Sequence, residues 1–214
     1  MQETGRMTAE RRVDRVAWVL AVGAALLTLV CRMIPYYVYG NPAEPSVWHF
    51  VPIGALSVFA GARLRHPAAF LLPLASMLVS DLLLIGPIAR LGYSAFSWST
   101  PITYGFLLVY FLGGWLIPAD RLAVGRTAAV LLLGGLPFFV YSNFMVWLGS
   151  TSLYSRDLTG LVECYVAALP FYKNTLLANA TYGAILFGLH EWLAQPAHSR
   201  AQTPARSTEM EGGR

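Results

Sequence analysis

A single carboxylate stands in the stretch ASMLVSDLLLIG (75–86), and between Pro67 and Ala89 no other side chain is charged. A carboxylate in the middle of a membrane span costs about 2.5–3.5 kcal/mol on insertion scales and marks a functional site by default. Three arrangements would hold Asp81 there: protonation, pairing with Arg32 or Arg90, or hydrogen bonds from Asn143 or Tyr104. A site-lining role and a purely structural pairing both remain open. Asn143 and Trp147 lie in FFVYSNFMVWLG, and Tyr104 follows Pro101 in another apolar run. The stretch GLVECYVAALPFYKNTLLANATYG supplies Glu163, Cys164, Tyr165, Tyr172, Lys173 and Asn174. Of these, Tyr165, Tyr172 and Asn174 suit the closing of a pocket, whereas Glu163 and Lys173 suit a solvated rim. These groups bind ligands by hydrogen bonding and stacking. Taken singly, Asn143, Tyr104 and Asn174 serve equally well as glue between helices, since such contacts average only about 0.6 kcal/mol.

Nucleophilic and metal chemistry find less support. His49 is a lone imidazole at a helix start, a place where capping is the commoner role. Cys31 and Cys164 are far apart and form no CxxC, and no HExxH occurs. A lone thiol such as Cys164 is more often simply buried than ligating. Asn179-Ala180-Thr181 matches a glycosylation acceptor but falls inside an apolar run, and it is set aside.

The elements that must position these residues are membrane helices. The chain is 56% hydrophobic and 12% charged, about half the charge of a soluble domain. A bilayer removes the need to hide that apolar surface. The net charge of +4 comes from arginines at the ends of apolar runs, so nucleic-acid binding is not indicated. At about 20 apolar residues per crossing, six spans are expected: Val13–Ile34, Phe50–Ala62, Pro67–Ile85, Pro101–Ile117, Thr127–Leu148 and Tyr172–Leu193. Leu158–Leu169 is too short to cross and reads as an interfacial or capping helix. Residues 1–12 read as a cytoplasmic N-terminal segment, 13–194 as the transmembrane domain, and 195–214 as a disordered cytoplasmic tail. The first apolar run lacks a cleavage site and reads as a retained span rather than a signal peptide.

Six spans place Arg6, Arg11, Arg12, Arg15, Arg63, Arg65, Arg121, Arg126, Arg200, Arg206 and Arg214 on one side. The other side receives Arg32, Arg90, Arg156 and Lys173. The positive-inside rule then makes both termini cytoplasmic. Outer connections are the long ones and carry Tyr36, Tyr37, Tyr39, Trp48, Tyr93, Phe96, Trp98 and Tyr154, as a lid would. At ~1.5 Å per residue, Asp81 lies about 20 Å from the cytoplasmic end of its span. Asn143, Tyr104, Asn174, Arg32 and His49 share that outer layer. On the first span Ala17, Ala21 and Ala25 recur every fourth residue and form a small-residue groove. Such a groove suits a partner helix, or packing within the protein itself.

The motifs VPIGALSVFAGARL, PLASMLVSDLLLIG, FFVYSNFMVWLGS and GLVECYVAALPFYKNTLLANATYGAILFG resemble those of an uncharacterised bacterial membrane family. That family is similar to the substrate-binding S components of energy-coupling-factor (ECF) vitamin transporters. The likeness covers about Val13 to Trp192. It implies an all-α, six-helix membrane bundle in the bacterial cytoplasmic (inner) membrane, with a pocket at the outer face under the loops. The vitamin-like ligand would meet Asp81, Asn143, Asn174 and the outer aromatics. Ala17, Ala21 and Ala25 would meet a transmembrane coupling subunit. Separate ATPases would supply energy, since no GxxxxGK[ST] loop occurs here. A cobalamin-type ligand, which takes a thiol or imidazole near cobalt, would have only His49 or Cys164, because the loop after the third span has no cysteine. Two further functions stand beside a non-enzymatic transport subunit: an assembly or scaffolding protein, and an intramembrane enzyme using His49 or Cys164.

Overall fold

The computed structural model describes residues 2–37, 50–92, 94–97, 99–119, 121–149 and 153–202, with side chains described from Arg11 to Ala194 within these ranges. His49, Tyr39, Trp48, Tyr93 and Trp98 lie outside the described residues. The described chain is helical, without strands: α1 (Gln2–Tyr37), α2 (Ile53–Phe59), α3 (Leu71–Arg90), α4 (Thr100–Gly114), α5 (Val124–Leu133), α6 (Leu136–Gly149) and α7 (Leu158–Gln202). Three stretches are long and apolar enough to cross a membrane: Arg11–Tyr37, Pro67–Arg90 and Val124–Gly149. Ile53–Leu64 and Thr100–Gly114 are shorter apolar helices.

The short α2 forms the centre. It starts after Pro52 and continues as a π-helical turn over Ala60–Leu64. Ala55, Leu56, Val58, Phe59, Ala60 and Ala62 are all fully buried. The turn ends at Arg65, whose φ of 46° is left-handed, an uncommon conformation for a residue with a Cβ. The Arg65 guanidinium offsets that cost by donating to the carbonyls of Ala62 and Ile117. α2 packs between α4 and α7, while α1 lies along α3 and α7. A Cβ on Gly61 would collide with the Phe111 carbonyl, and one on Gly114 with the Val58 carbonyl. Without Cβ atoms there, α2 and α4 cross backbone to backbone, the small-residue packing that membrane helices favour.

The perimeter is the reverse of the centre. Val19, Leu26, Leu83, Leu133 and Val162 are large, apolar and more than half exposed. Lipid tails are as apolar as leucine, so this surface carries no penalty in a bilayer. Small side chains fill the α1 face turned inward: Ala17, Ala21 and Ala24 join the core with α2 and α7, and Ala25 packs at its edge. The alanine groove is therefore filled by the protein's own helices, the internal of the two roles open to it.

Three expected boundaries change. The span expected over Thr127–Leu148 is interrupted at Gly134–Gly135. A Cβ on Gly134 would come within 2.7 Å of the Val130 carbonyl and 2.8 Å of the Tyr110 ring, and one on Gly135 would meet the Tyr110 hydroxyl. Tyr110 thus occupies the break. The separate helix expected at Leu158–Leu169 is instead the first part of α7, which continues through Pro170 for 45 residues. At ~1.5 Å per residue α7 is about 68 Å long, more than twice the hydrocarbon thickness. Helix also persists past Gln195 to Gln202, where a structureless tail was expected. Asp157 caps the start of α7, accepting from the Gly160 amide at 2.9 Å and the Ser155 hydroxyl at 2.6 Å.

Candidate binding site

A cavity of about 570 Å³ lies among all the helices that surround α2. Its walls come from the last turns of α1 (Arg32), the start of α2 (Ile53, Gly54), the middle of α3 (Met77) and the first half of α4. The α5–α6 break, the first half of α6 and the middle of α7 complete it. Six aromatic residues stand in the wall: Phe106, Tyr110, Phe138, Phe139, Phe171 and Tyr172. Phe139 and Tyr172 are stacked, with centroids 4.4 Å apart and planes 28° apart. Polar groups are few and spread out: Arg32, Thr103, Ser142, Asn143, Thr175 and Asn179. An apolar, aromatic wall with a handful of placed polar groups is the usual composition of a small-molecule site, and the volume falls in the usual range.

Arg32 is the charged member of that wall, and its position depends on α3 and α4. Its guanidinium pairs with the Asp81 carboxylate and lies 2.7 Å from the Met77 sulfur. The Tyr104 hydroxyl donates to the other Asp81 oxygen at 2.7 Å. Asp81 is buried and does not itself line the cavity. Of the arrangements open to it, pairing with Arg32 and bonding from Tyr104 are the two observed. Asp81 is a positioning residue, and Arg32 is the group presented to the cavity. The Arg32 Nε is buried and has no hydrogen-bond partner.

The opposite side of the cavity is organised by Asn179. Its amide nitrogen donates to the Tyr110 hydroxyl at 2.9 Å and to the Leu131 carbonyl at 3.0 Å. That carbonyl belongs to the last turn of α5, which the break deprives of its usual helical donors. Gly54 lets the start of α2 rest on this amide, because a Cβ there would strike the Asn179 side-chain oxygen. The glycosylation-like triplet thus holds a buried amide that ties three helices together.

The other expected site residues divide. Asn143 and Tyr172 line the cavity. The Asn143 amide nitrogen also donates to the Phe139 carbonyl at 2.7 Å, and the Cys164 thiol lies 3.4 Å from the Asn143 carbonyl. Tyr165 sits outside, donating to the Val140 carbonyl at 2.6 Å and bordering an open apolar groove between α6 and α7. Trp147 donates to the Ser155 carbonyl at 2.9 Å near the start of α7, with the Arg156 guanidinium over its ring at 5.9 Å. Asn174 is half-buried and beyond the cavity wall, although its neighbour Thr175 belongs to it. His49 lies outside the described residues. Among the described residues, no three His, Cys, Asp or Glu side chains gather as a metal site would require.

Sequence reasoning passed over Tyr110, Asn179 and the phenylalanines of the wall. One signal was present: Tyr110 and Asn179 are polar groups in the middle of apolar runs, the same signal that singled out Asp81.

At the far end of the bundle Arg63 is buried, donating to the Pro118 carbonyl and to Glu191, both at 2.8 Å, and lying over Phe187 at 5.1 Å.

Among the described residues the protein is all-helical, with three stretches long and apolar enough to cross a membrane and a cavity partly walled by aromatic rings. The chain belongs to the DUF6580 family, a family of unknown function, whose model matches residues 12–203. No curated protein matches it, and no solved structure does.

Proposed function

We propose that this protein is a substrate-binding membrane subunit, similar to the S components of ECF transporters, that captures a vitamin-like small molecule for uptake. The observation that carries this reading is the aromatic cavity with Arg32 held in its wall by Asp81 and Tyr104. In this reading the chain crosses the bacterial cytoplasmic membrane six times with both termini inside. α2 and α4 are short crossings, and α5 with α6 forms a single broken one. The cavity then lies in the outer half, beside the ends of α1 and the starts of α2 and α4. Discontinuous helices whose broken backbone borders the substrate are a recurring device of membrane transporters.

A transmembrane coupling subunit and its ATPases would drive release of the ligand to the inside. With Ala17, Ala21 and Ala25 turned toward the core, α1 would offer such a partner the surface around Gly23. A Cβ on Gly23 meets nothing within 4 Å. A scaffolding role accounts for the Arg32–Asp81 pair as glue between α1 and α3, but it gives no reason for the cavity. A thermal-shift screen of vitamins on the detergent-purified protein tests the reading. At least one vitamin should raise the melting temperature, and a uniformly negative screen would contradict capture.

A further inference from the structure

The charge pattern of the cavity selects among ligands. Among the described residues that line it, Arg32 alone carries a charge, and Asp81 cancels that charge from directly behind the wall. The Asp81 carboxylate accepts from both Arg32 and Tyr104, as an ionised acceptor does. The wall therefore presents a guanidinium yet has no net charge, while its other side-chain donors, those of Thr103, Ser142, Asn143, Thr175 and Asn179, are already engaged within the protein. A guanidinium has five N–H donors; here one group goes to Asp81, one to Met77, and the buried Nε is unpartnered. Ser142, Asn143 and Thr103 belong to the same wall. An anion entering would add an uncompensated charge to a low-dielectric chamber, which is costly. A neutral group bearing an acceptor oxygen would accept from the terminal guanidinium N–H groups that Asp81 and Met77 leave over, without that cost. The shape requirement comes from the rings: Phe138, Phe139, Phe106 and Tyr172 offer faces and edges to a flat partner, and aromatic pairs favour offset or edge contacts.

We infer that the cavity takes a neutral, planar ring compound bearing an amide- or carbonyl-type acceptor that docks on Arg32, in preference to a carboxylate of the same shape. This inference rests on the capture reading and narrows its ligand class. Asp81 is what sets the preference, because it neutralises the arginine that would otherwise attract an anion.

The test uses two isosteres, naphthalene-2-carboxamide and 2-naphthoate, titrated by calorimetry into the full-length protein in nanodiscs at neutral pH. Wild type should bind the amide at least about tenfold more tightly than the carboxylate. Asp81→Asn should shift the ratio about tenfold or more toward the carboxylate, because Arg32 is then unneutralised. The double variant Arg32→Gln/Asp81→Asn, which leaves no buried charge to misfold around, should bind the amide more weakly than wild type does but without the shift toward the carboxylate seen in Asp81→Asn. A carboxylate bound as tightly as the amide by wild type overturns the inference, as does an unchanged ratio in folded Asp81→Asn. Binding of neither probe also overturns it. If a vitamin still shifts the melting temperature in that case, the ligand class fails and the capture reading stands; if none does, both fail.

Discussion

Arg32 on α1 and Asp81 on α3 form an ion pair of which only the arginine faces the cavity. The carboxylate that looked anomalous in an apolar run thus holds an arginine of the cavity wall and does not line the cavity itself. Side-chain exposures of 19% for Arg32 and 8% for Asp81 make the pair largely buried. Removing one member of such a pair leaves an uncompensated charge, whereas removing both can be nearly neutral.

Asp81→Ala should therefore cost about 3 kcal/mol, at the low end for a buried pair because Arg32 keeps some contact with its surroundings. Arg32→Met/Asp81→Leu should recover most of that loss while abolishing recognition of an acceptor. Denaturant unfolding in detergent, run as a double-mutant cycle, measures the coupling. Additive single effects would show that the pair contributes nothing.

The α2–α4 crossing gives a contrast between glycines. Gly114→Ala should destabilise by at least the roughly 1–3 kcal/mol of an overpacked core, since backbone on the facing helix blocks the new methyl. Gly188→Ala, where a Cβ meets nothing within 4 Å, should be neutral or stabilising by up to about 1 kcal/mol through helix propensity. Thermal melts of the two variants side by side decide it. Equal effects would mean that α2 and α4 do not touch along their backbones.

The amide of Asn179 should couple to Tyr110. Tyr110→Phe removes one hydrogen bond and should cost about 1 kcal/mol, while Asn179→Ala also orphans the Leu131 carbonyl and should cost about 1–3 kcal/mol. Hydrogen exchange in the last turn of α5 should rise in Asn179→Ala and remain near wild type in Tyr110→Phe.

These elements differ in how plainly the sequence announced them. Asp81 stood out because a charge in an apolar run is expensive, and its two observed partners were among the candidates. The break at Gly134–Gly135 did not stand out, because apolar residues flank it on both sides and glycines in membrane helices are ordinary. Its cause is tertiary: Tyr110, distant in sequence, fills the space. The continuity of α7 was obscured by Pro170 and by the polar residues Glu163, Lys173 and Asn174, which read as a boundary. A proline costs a helix one hydrogen bond without ending it when neighbouring helices support the turn. The alanine spacing on α1 signalled close packing correctly but could not say against what, and the answer was α2 and α7.

At the start of α7, the Gly160 amide and then the Ser155 hydroxyl hold the Asp157 carboxyl below its ordinary value of 3.8. A carboxyl depressed in the folded state stabilises it above the unfolded pKa, and that contribution disappears as pH falls through the folded one. The first turn of α7 should therefore hold at neutral pH and fray only as pH falls below 3.8 and through the lowered folded pKa. Hydrogen exchange of residues 158–161 read against pH measures this, and Asp157→Asn should flatten the dependence. A first turn equally protected at pH 3 and pH 7 would show that the cap is not made.

The claim that the cavity holds a small molecule is tested most directly by native mass spectrometry of the protein released from its own membranes. Wild type should carry a bound small-molecule mass that is lost in Ser142→Trp, in which an indole takes up cavity volume while Arg32, Asp81 and Asn179 are left unsubstituted. A wild-type protein with no adduct, or an adduct retained in folded Ser142→Trp, would contradict capture at this site.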